Sequence, residues 1–298
     1  MKILITDPLH GDGVKLMERI GEVDLAPGLT PQQLAEKIQD YQVLVVRSKT
    51  KVTREVIDAG RQLKAIARAG VGLDNIDVEY ARAKGIEVIN TPGALTTAVA
   101  ELVLGMMLGW ARHLPRADST MKRGLWEKNK LMGSELHGKT LGIVGTGRIG
   151  RTVGERAAAF SMDLLAYDVV VNESFAKLAR YTDLDTLLHE SDYVTIHVPL
   201  IPQTRHMIGS RELGLMKPTG VLINASRGGV IDEQALVEAL RDHKIAGACL
   251  DVYAREPPSG PLLELPNAIL TPHIGASTVE AQRSAAVLVA EKLGELFF

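Results

Sequence analysis

The sequence contains a single cysteine in 298 residues, which excludes an internal disulfide framework and any cysteine-based zinc cluster. That residue, Cys249, lies in the small apolar run Ala248-Cys249-Leu250, the setting of a buried, inert thiol. An excess of either charge is also missing. Lys+Arg number 34 against 36 Asp+Glu, a formal net charge of −2, so there is no global basic field for nucleic acid or anionic lipid. Any anion must be recognised by a few basic residues placed locally. Long hydrophobic runs are absent too: the most apolar stretch, Ala98 to Trp110, is too short to span a bilayer and contains Glu101. The N-terminus, Met1-Lys2-Ile3-Leu4-Ile5-Thr6-Asp7, reads as a strand entering a turn, without the apolar core and cleavage site of a signal peptide. No low-complexity tract, short-period repeat or block of like charge occurs. These absences predict a soluble, cytoplasmic protein acting on a small molecule, with no nucleic-acid or membrane partner.

Apolar residues make up 46% of the chain and charged residues 23%, proportions that suit a globular enzyme with ample core. Short aliphatic runs alternate with amphipathic stretches from end to end, the pattern of parallel sheets with crossover helices. Strand candidates are Lys2–Thr6, Val43–Arg47, Lys64–Ala67, Glu87–Asn90, Thr140–Val144, Leu164–Asp168, Tyr193–Val198, Val221–Ala225, Gly247–Asp251 and Ala268–Thr271. Helical patterns include Pro31–Gln39, Arg54–Ala59, Arg151–Phe160 and Val279–Leu296. A conspicuous helix over Ala98–His113 carries Val99, Leu102, Val103, Met106, Met107 and Trp110 at three- and four-residue spacing. The reading is α/β, with two doubly wound parallel-sheet domains. Thr91-Pro92-Gly93 is a turn that suits a hinge, and a last helix after Thr271-Pro272-His273 could return to the first domain.

The most informative local motif is Gly145-Thr146-Gly147-Arg148-Ile149-Gly150, placed between a strand and a helix. In that context Gly145 permits a tight turn, Gly147 lets the backbone approach a pyrophosphate, and Gly150 allows helix and strand to pack closely. The helix N-terminus adds unpaired N–H groups, and Arg148 could reach the same anion. Asp168 ends the next strand, eighteen residues past the final glycine. A carboxylate there accepts from ribose hydroxyls and repels a 2′-phosphate, which favours NAD over NADP.

Three further segments sit at strand ends, where open α/β sheets bind ligands: Asn224–Gly229, Asp251–Pro257 and Pro272–Gly275. Each supplies one group suited to redox chemistry on a 2-hydroxy acid. Arg227 could grip a carboxylate with its planar fork, His273 could exchange the hydroxyl proton, and Glu256 could orient and charge that imidazole. Each also has a plain reading, as a surface-turn arginine, a solvated glutamate and a structural histidine. Their joint occurrence beyond a dinucleotide motif strengthens the functional one. Of eight histidines, His197 is the main rival as the proton-transfer group, but Ile196-His197-Val198-Pro199 suggests the rim of the cofactor site instead. No metal-ligand spacing, Walker lysine loop or Ser–His–Asp arrangement is present, and no metal is expected.

Taken together, Arg68-Ala69-Gly70-Val71-Gly72, Asn90-Thr91-Pro92-Gly93, the segment 136–150, His197-Val198-Pro199-Leu200, the segment 224–232 and the segment 272–277 resemble the D-isomer-specific 2-hydroxyacid dehydrogenase family. The resemblance covers nearly the whole chain. It implies a Rossmann-type NAD-binding domain (94–276) inserted into a flavodoxin-like substrate-binding domain (1–93 and 277–298). It implies Arg227, Glu256 and His273 as catalytic residues. Cofactor contacts are implied for Val71, Arg148, Ile149, Asp168, Val198, Pro199, Ala225, Ser226, Asp251 and the turn from His273 through Gly275 to Ala276. Substrate contacts fall on Arg47, Ser48, Arg68, the Gly70–Gly72 backbone including Val71, and Asn90, beside Arg227 and His273. Arg47 and Arg68 would supply the local positive charge for a phosphorylated three-carbon acid. An unphosphorylated oxo-acid reductase of the same family, and an NAD-sensing corepressor from another class, remain as rival readings. The resemblance also implies a homodimer through the 98–113 helix region and Trp126, with a tetramer as a further step. Long family members carry regulatory domains beyond the catalytic unit, whereas this sequence stops at Leu296-Phe297-Phe298, and truncation is the expectation.

Overall fold

The computed structural model describes all residues from Met1 to Phe298. The chain divides into two compact units, Met1–Thr96 with Ala276–Phe298, and Thr97–Gly275.

The first unit is built on five parallel strands: β1 Lys2–Ile5, β2 Glu22–Leu25, β3 Val43–Val46, β4 Ala65–Arg68 and β5 Glu87–Ile89. Their spatial order is β2-β1-β3-β4-β5, the flavodoxin-like winding, whose direction reverses between β1 and β3. The central strand β3, Val-Leu-Val-Val, is buried at every position, as a parallel strand covered on both faces must be. Around it Thr30 and Gln33 form a reciprocal capping box ahead of helix Pro31–Lys37, with proline at its first position. The last helix, Val279–Phe297, buries Ala285, Val289, Ala290 and Leu293 in the same core as Ile3, Ile5 and Met17. It lies so close to helix Gly11–Met17 that a Cβ on Gly13 would stand 2.5 Å from Ala286.

The second unit carries seven parallel strands: β6 Thr140–Val144, β7 Asp163–Tyr167, β8 Arg180–Tyr181, β9 Tyr193–Ile196, β10 Val221–Asn224, β11 Gly247–Leu250 and β12 Ala268–Leu270. The order β12-β11-β10-β9-β6-β7-β8 is the doubly wound dinucleotide-binding arrangement with one extra strand, and it reverses between β6 and β9. Because every pairing is parallel, all seven C-terminal strand ends lie along one edge.

Several expected boundaries shift, for physical reasons. Strands expected to end on Thr6, Arg47, Asn90, Asp168, Ala225, Asp251 and Thr271 stop one residue earlier, and the strand expected to reach Val198 stops at Ile196. Several of these polar residues leave the ladder to hold neighbouring loops. Strands β2 and β8 escaped the sequence reading because both are short sheet edges bearing charged residues. The helix placed at Arg151–Phe160 begins three residues earlier, at Arg148, with Gly147 as its extended N-cap, and ends at Ala159. Pro31–Gln39 is a helix only to Lys37, followed by a 3-10 turn over Ile38–Asp40. The long apolar helix spans Thr96–Ala111 rather than Ala98–His113, because His113 turns left-handed (φ 52°). Val99, Val103, Met106 and Met107 on that helix are buried within the second unit, and Trp110 covers Gly247 at the start of β11. Little of the helix's apolar surface is therefore left for another subunit. The exposed apolar side chains sit just beyond it: Leu114, Met121, Leu125, Trp126 (79% exposed) and Met132 (87%). No helix is long and apolar enough to cross a membrane.

Candidate active site

The glycine turn follows β6 directly. Gly145 is left-handed (φ 95°), and a Cβ there would come within 2.8 Å of the His197 backbone, so only glycine fits. Gly150 is the third residue of its helix and lies against the Gly145 carbonyl with no room for a side chain. Gly147 is the opposite case, with no atom within 4 Å of its absent Cβ. This leaves an open cradle at the N-terminus of helix Arg148–Ala159, where unpaired N–H groups and the dipole favour an anion. Arg148 is exposed beside it and Ile149 half-buried. Just after β7, Asp168 accepts from Thr146 N at 2.6 Å and Thr146 Oγ1 at 3.0 Å through Oδ2, while Oδ1 receives only Val170 N at 3.3 Å.

His197 follows β9. Its Nε2 lies 2.9 Å from Thr195 Oγ1, its Nδ1 is buried without a partner, and burial pushes its pKa down to about 3. The ring is neutral over the physiological range and faces no carboxylate, which separates it from His273. Val198 packs at Gly145, next to the exposed Pro199.

At the end of β10 the buried Asn224 folds the next turn. Its Oδ1 accepts from Ser226 N (3.0 Å) and Ser226 Oγ (2.8 Å), and its Nδ2 donates to Arg227 O (3.0 Å). Ala225 and Ser226 thus lie in a tied turn that presents Arg227, whose guanidinium donates to Ser226 O at 2.7 Å. Gly228 abuts the Tyr253 backbone too closely for any side chain, which braces this turn against the one after β11.

Asp251, 1% exposed, follows β11 and grips the segment after β12. Its Oδ1 accepts from Thr271 Oγ1 (2.6 Å) and Ile274 N (2.8 Å), and its Oδ2 accepts from Gly275 N (2.8 Å). Tyr253 donates to Thr271 O at 2.7 Å, and its burial raises the phenol to about 12, so it stays a hydrogen-bond donor. Between these anchors His273 adopts a left-handed backbone (φ 54°), an uncommon conformation for a residue with a Cβ. Its Nδ1 lies 2.8 Å from Glu256 Oε2, and both side chains are about half exposed (47% and 40%). With Nδ1 engaged, Nε2 is the nitrogen left to exchange a proton. Arg227, Glu256 and His273 therefore stand on three adjacent loops of one sheet edge, after β10, β11 and β12.

The other expected residues lie in the first unit, at the C-terminal edge of its sheet. Arg47 follows β3, Arg68 ends β4 and Asn90 follows β5. Arg47 N donates to the buried Asp7 Oδ2 at 2.6 Å, and Asn75 Nδ2 donates to Arg47 O at 2.8 Å, so the Arg47-Ser48 loop is tied from both sides. Asn90 Nδ2 donates to Val71 O at 2.7 Å and Arg68 Nη1 to Gly72 O. These two side chains thus shape the Gly70–Gly72 turn in addition to any ligand they meet. Ala276 opens the returning segment of this unit.

The profile of "D-isomer specific 2-hydroxyacid dehydrogenase, NAD binding domain" matches residues 104–275. The chain belongs to this family. It is 52% identical over 297 residues to D-3-phosphoglycerate dehydrogenase of Methanocaldococcus jannaschii, covering 98% of this chain but 57% of that relative. It is 47% identical to hydroxypyruvate reductase of Thermotoga maritima, covering 98% of this chain and 97% of that one. Among solved structures, D-lactate dehydrogenase from Aquifex aeolicus, complexed with NAD and lactic acid, superposes with a TM-score of 0.88 at 30% identity over 99% of this chain and 95% of its own.

The domain matched at residues 104–275 is an NAD-binding one, and the open cradle at Gly147 and the unused acceptor capacity of Asp168 Oδ1 fit a dinucleotide. Four residues that shape the site had no role in the sequence reading: Thr146, Asn224, Tyr253 and Thr271. Asn224 alone carried a visible signal, as a polar residue closing an apolar strand. The others act through contacts that only the sheet order creates.

Proposed function

We infer that the chain catalyses NAD-dependent oxidation of D-3-phosphoglycerate to 3-phosphohydroxypyruvate, a step toward serine. The observation that carries the redox part is the His273–Glu256 pair at 2.8 Å, beside the loop that presents Arg227. A bound NAD would supply the acceptor for the hydride leaving the substrate's C2. His273 Nε2 accepts the C2 hydroxyl proton, and Glu256 stabilises the imidazolium that results. Arg227 holds the carboxylate and polarises the forming carbonyl. Gly145, Gly147, Gly150, Arg148 and Ile149 hold the pyrophosphate, and Asp168 takes the adenosine ribose. His197, Val198, Pro199, Ala225, Ser226 and Gly275 line the rest of the cofactor's path, with Asp251 anchoring the Ile274-Gly275 backbone. The unit 1–96 with 276–298 is the substrate-binding unit. There Arg47 and Arg68, with Ser48, Asn90 and the Gly70–Gly72 turn, receive the substrate's phosphate. The protein works as a cytoplasmic homodimer, which a mass from light scattering of twice the chain's 32.2 kDa checks.

Support for the phosphorylated substrate comes from the relative at 52% identity and from two arginines at one sheet edge. A hydroxypyruvate or glyoxylate reductase is the second reading, supported by a relative at 47% identity that the chain spans almost completely. Comparing kcat/KM for 3-phosphoglycerate, D-glycerate and glyoxylate, each with NAD(H) and NADP(H), decides between them. A preference for 3-phosphoglycerate is expected, and equal or better use of D-glycerate overturns it. Absence of turnover on every acid would favour an NAD-sensing binding protein instead.

A further inference from the structure

Asp168 is held from behind by a file of hydrogen bonds whose direction is set at its far end. Asn172 N, which can only donate, bonds to Tyr181 Oη at 3.2 Å. The Tyr181 hydroxyl proton is then available to Thr146 Oγ1, 2.9 Å away. Thr146, having accepted, gives its own proton to Asp168 Oδ2 at 3.0 Å, and its N–H reaches the same oxygen at 2.6 Å. A carboxylate only accepts, so the file closes there with every donor pointing the same way.

Its members are placed by packing. Thr146 is buried inside the glycine turn. Tyr181 sits on β8, in register with Ala166 of β7, and meets Phe175 edge to face at 6.5 Å. Phe175 in turn lies against Gly154 of helix Arg148–Ala159, where a Cβ would come within 2.5 Å of its ring. The result is asymmetric: Oδ2 is saturated from within the protein, while Oδ1 has a single long contact, Val170 N at 3.3 Å.

We propose that Thr146 and Tyr181 are positioning residues for cofactor selection, which hold Asp168 so that Oδ1 meets the adenosine ribose hydroxyls and a 2′-phosphate meets a fixed negative charge. The inference rests on the reading that Asp168 faces that ribose. Without the file the carboxylate can rotate or draw back, and both the attraction for ribose and the repulsion of phosphate weaken.

The test measures NADH and NADPH dissociation constants of the full chain by nicotinamide fluorescence. Thr146→Val keeps the shape but loses the hydroxyl, and Tyr181→Phe removes the outer link from a position beyond Thr146. Each should weaken NADH binding by about 2- to 10-fold, the range of one hydrogen bond, with NADPH binding equal or tighter, so the NADPH/NADH ratio narrows. Thr146→Ser restores the ratio. General loosening of the turn would weaken both cofactors alike and leave the ratio intact. If Asp168→Ala collapses the ratio while Thr146→Val and Tyr181→Phe leave it unchanged, the positioning role is overturned. If Asp168→Ala also leaves it unchanged, the reading of Asp168 itself has failed. Should Thr146→Val not fold, Tyr181→Phe decides alone.

Discussion

Both sheets place an aspartate just beyond a strand and use it in the same way, yet the two are not equivalent. Asp7 follows β1 in the first unit and Asp168 follows β7 in the second, and each receives a backbone N–H from a neighbouring strand's loop at 2.6 Å. Asp7 is 5% exposed, and its Oδ2 also takes Thr50 N at 3.3 Å, so its work is to tie the Arg47–Thr50 loop to β1. Asp168 is half-exposed and keeps one oxygen nearly unengaged. Burial makes one carboxylate a structural clamp, and partial exposure leaves the other able to meet a ligand. Asp251 in the second unit follows the first pattern, since its three donors consume a carboxylate that is 1% exposed. The same residue type at the same place in a βα unit therefore acquires its role from how deeply its neighbours bury it, not from the number of donors, which is two for Asp7 and three for Asp168.

The comparison extends to the side chains that these clamps display: the His273–Glu256 pair on the seven-stranded edge, Arg47 and Arg68 on the five-stranded edge. The strongest way to break it is His273→Ala. Turnover should fall by about 10²- to 10⁴-fold, the usual contribution of a positioned proton acceptor, with the NADH dissociation constant nearly unchanged. Steady-state kinetics and fluorescence titration read the two, and turnover close to wild type would remove His273 from the chemistry. Next comes Arg47→Ala, with an expected loss of about 10- to 100-fold in kcat/KM for 3-phosphoglycerate, as for a charge-assisted contact. D-glycerate should be little affected, and an equal loss on both substrates would mean that Arg47 does not read the phosphate.

The smallest effect sharpens the aspartate comparison itself. Asp7→Ala removes a 5% exposed carboxylate that accepts from two part-buried N–H groups, and unfolding should show a loss of about 2–4 kcal/mol. Asp168→Ala removes a half-exposed carboxylate whose place water can take, and should lose under about 1 kcal/mol in urea while weakening NADH binding. Equal stability losses for the two variants would dissolve the distinction.

Much of the fold was legible because parallel strands buried on both faces are written as unbroken apolar runs, as Val43–Val46 and Val221–Asn224 illustrate. The edge strands Glu22–Leu25 and Arg180–Tyr181 carry no such run, and nothing local announces a two-residue strand. The glycine turn was legible down to the separate task of each glycine, yet the start of its helix was not: the expected helix opens after Gly150, whereas it begins at Arg148 and includes Gly150, where any side chain would strike the Gly145 carbonyl. For the candidate site, residue types suited to the chemistry could be picked from strand ends. That Asp251 would be consumed by Thr271, Ile274 and Gly275, or that Arg68 and Asn90 would donate to the turn at Gly70–Gly72, could not.

From the sequence alone followed the alternation of strand and helix, the place of the dinucleotide turn and the chemical types available at strand ends, because these depend on periodicity and on backbone freedom within a few residues. Only the tertiary structure decided which strand ends are neighbours, and hence that a histidine in a left-handed turn meets a glutamate seventeen residues away and that a tyrosine thirty-five residues from a threonine steadies an aspartate beside it. Hydrogen-bond donors reach about 3 Å, and the order of strands in a sheet sets which groups come within that reach.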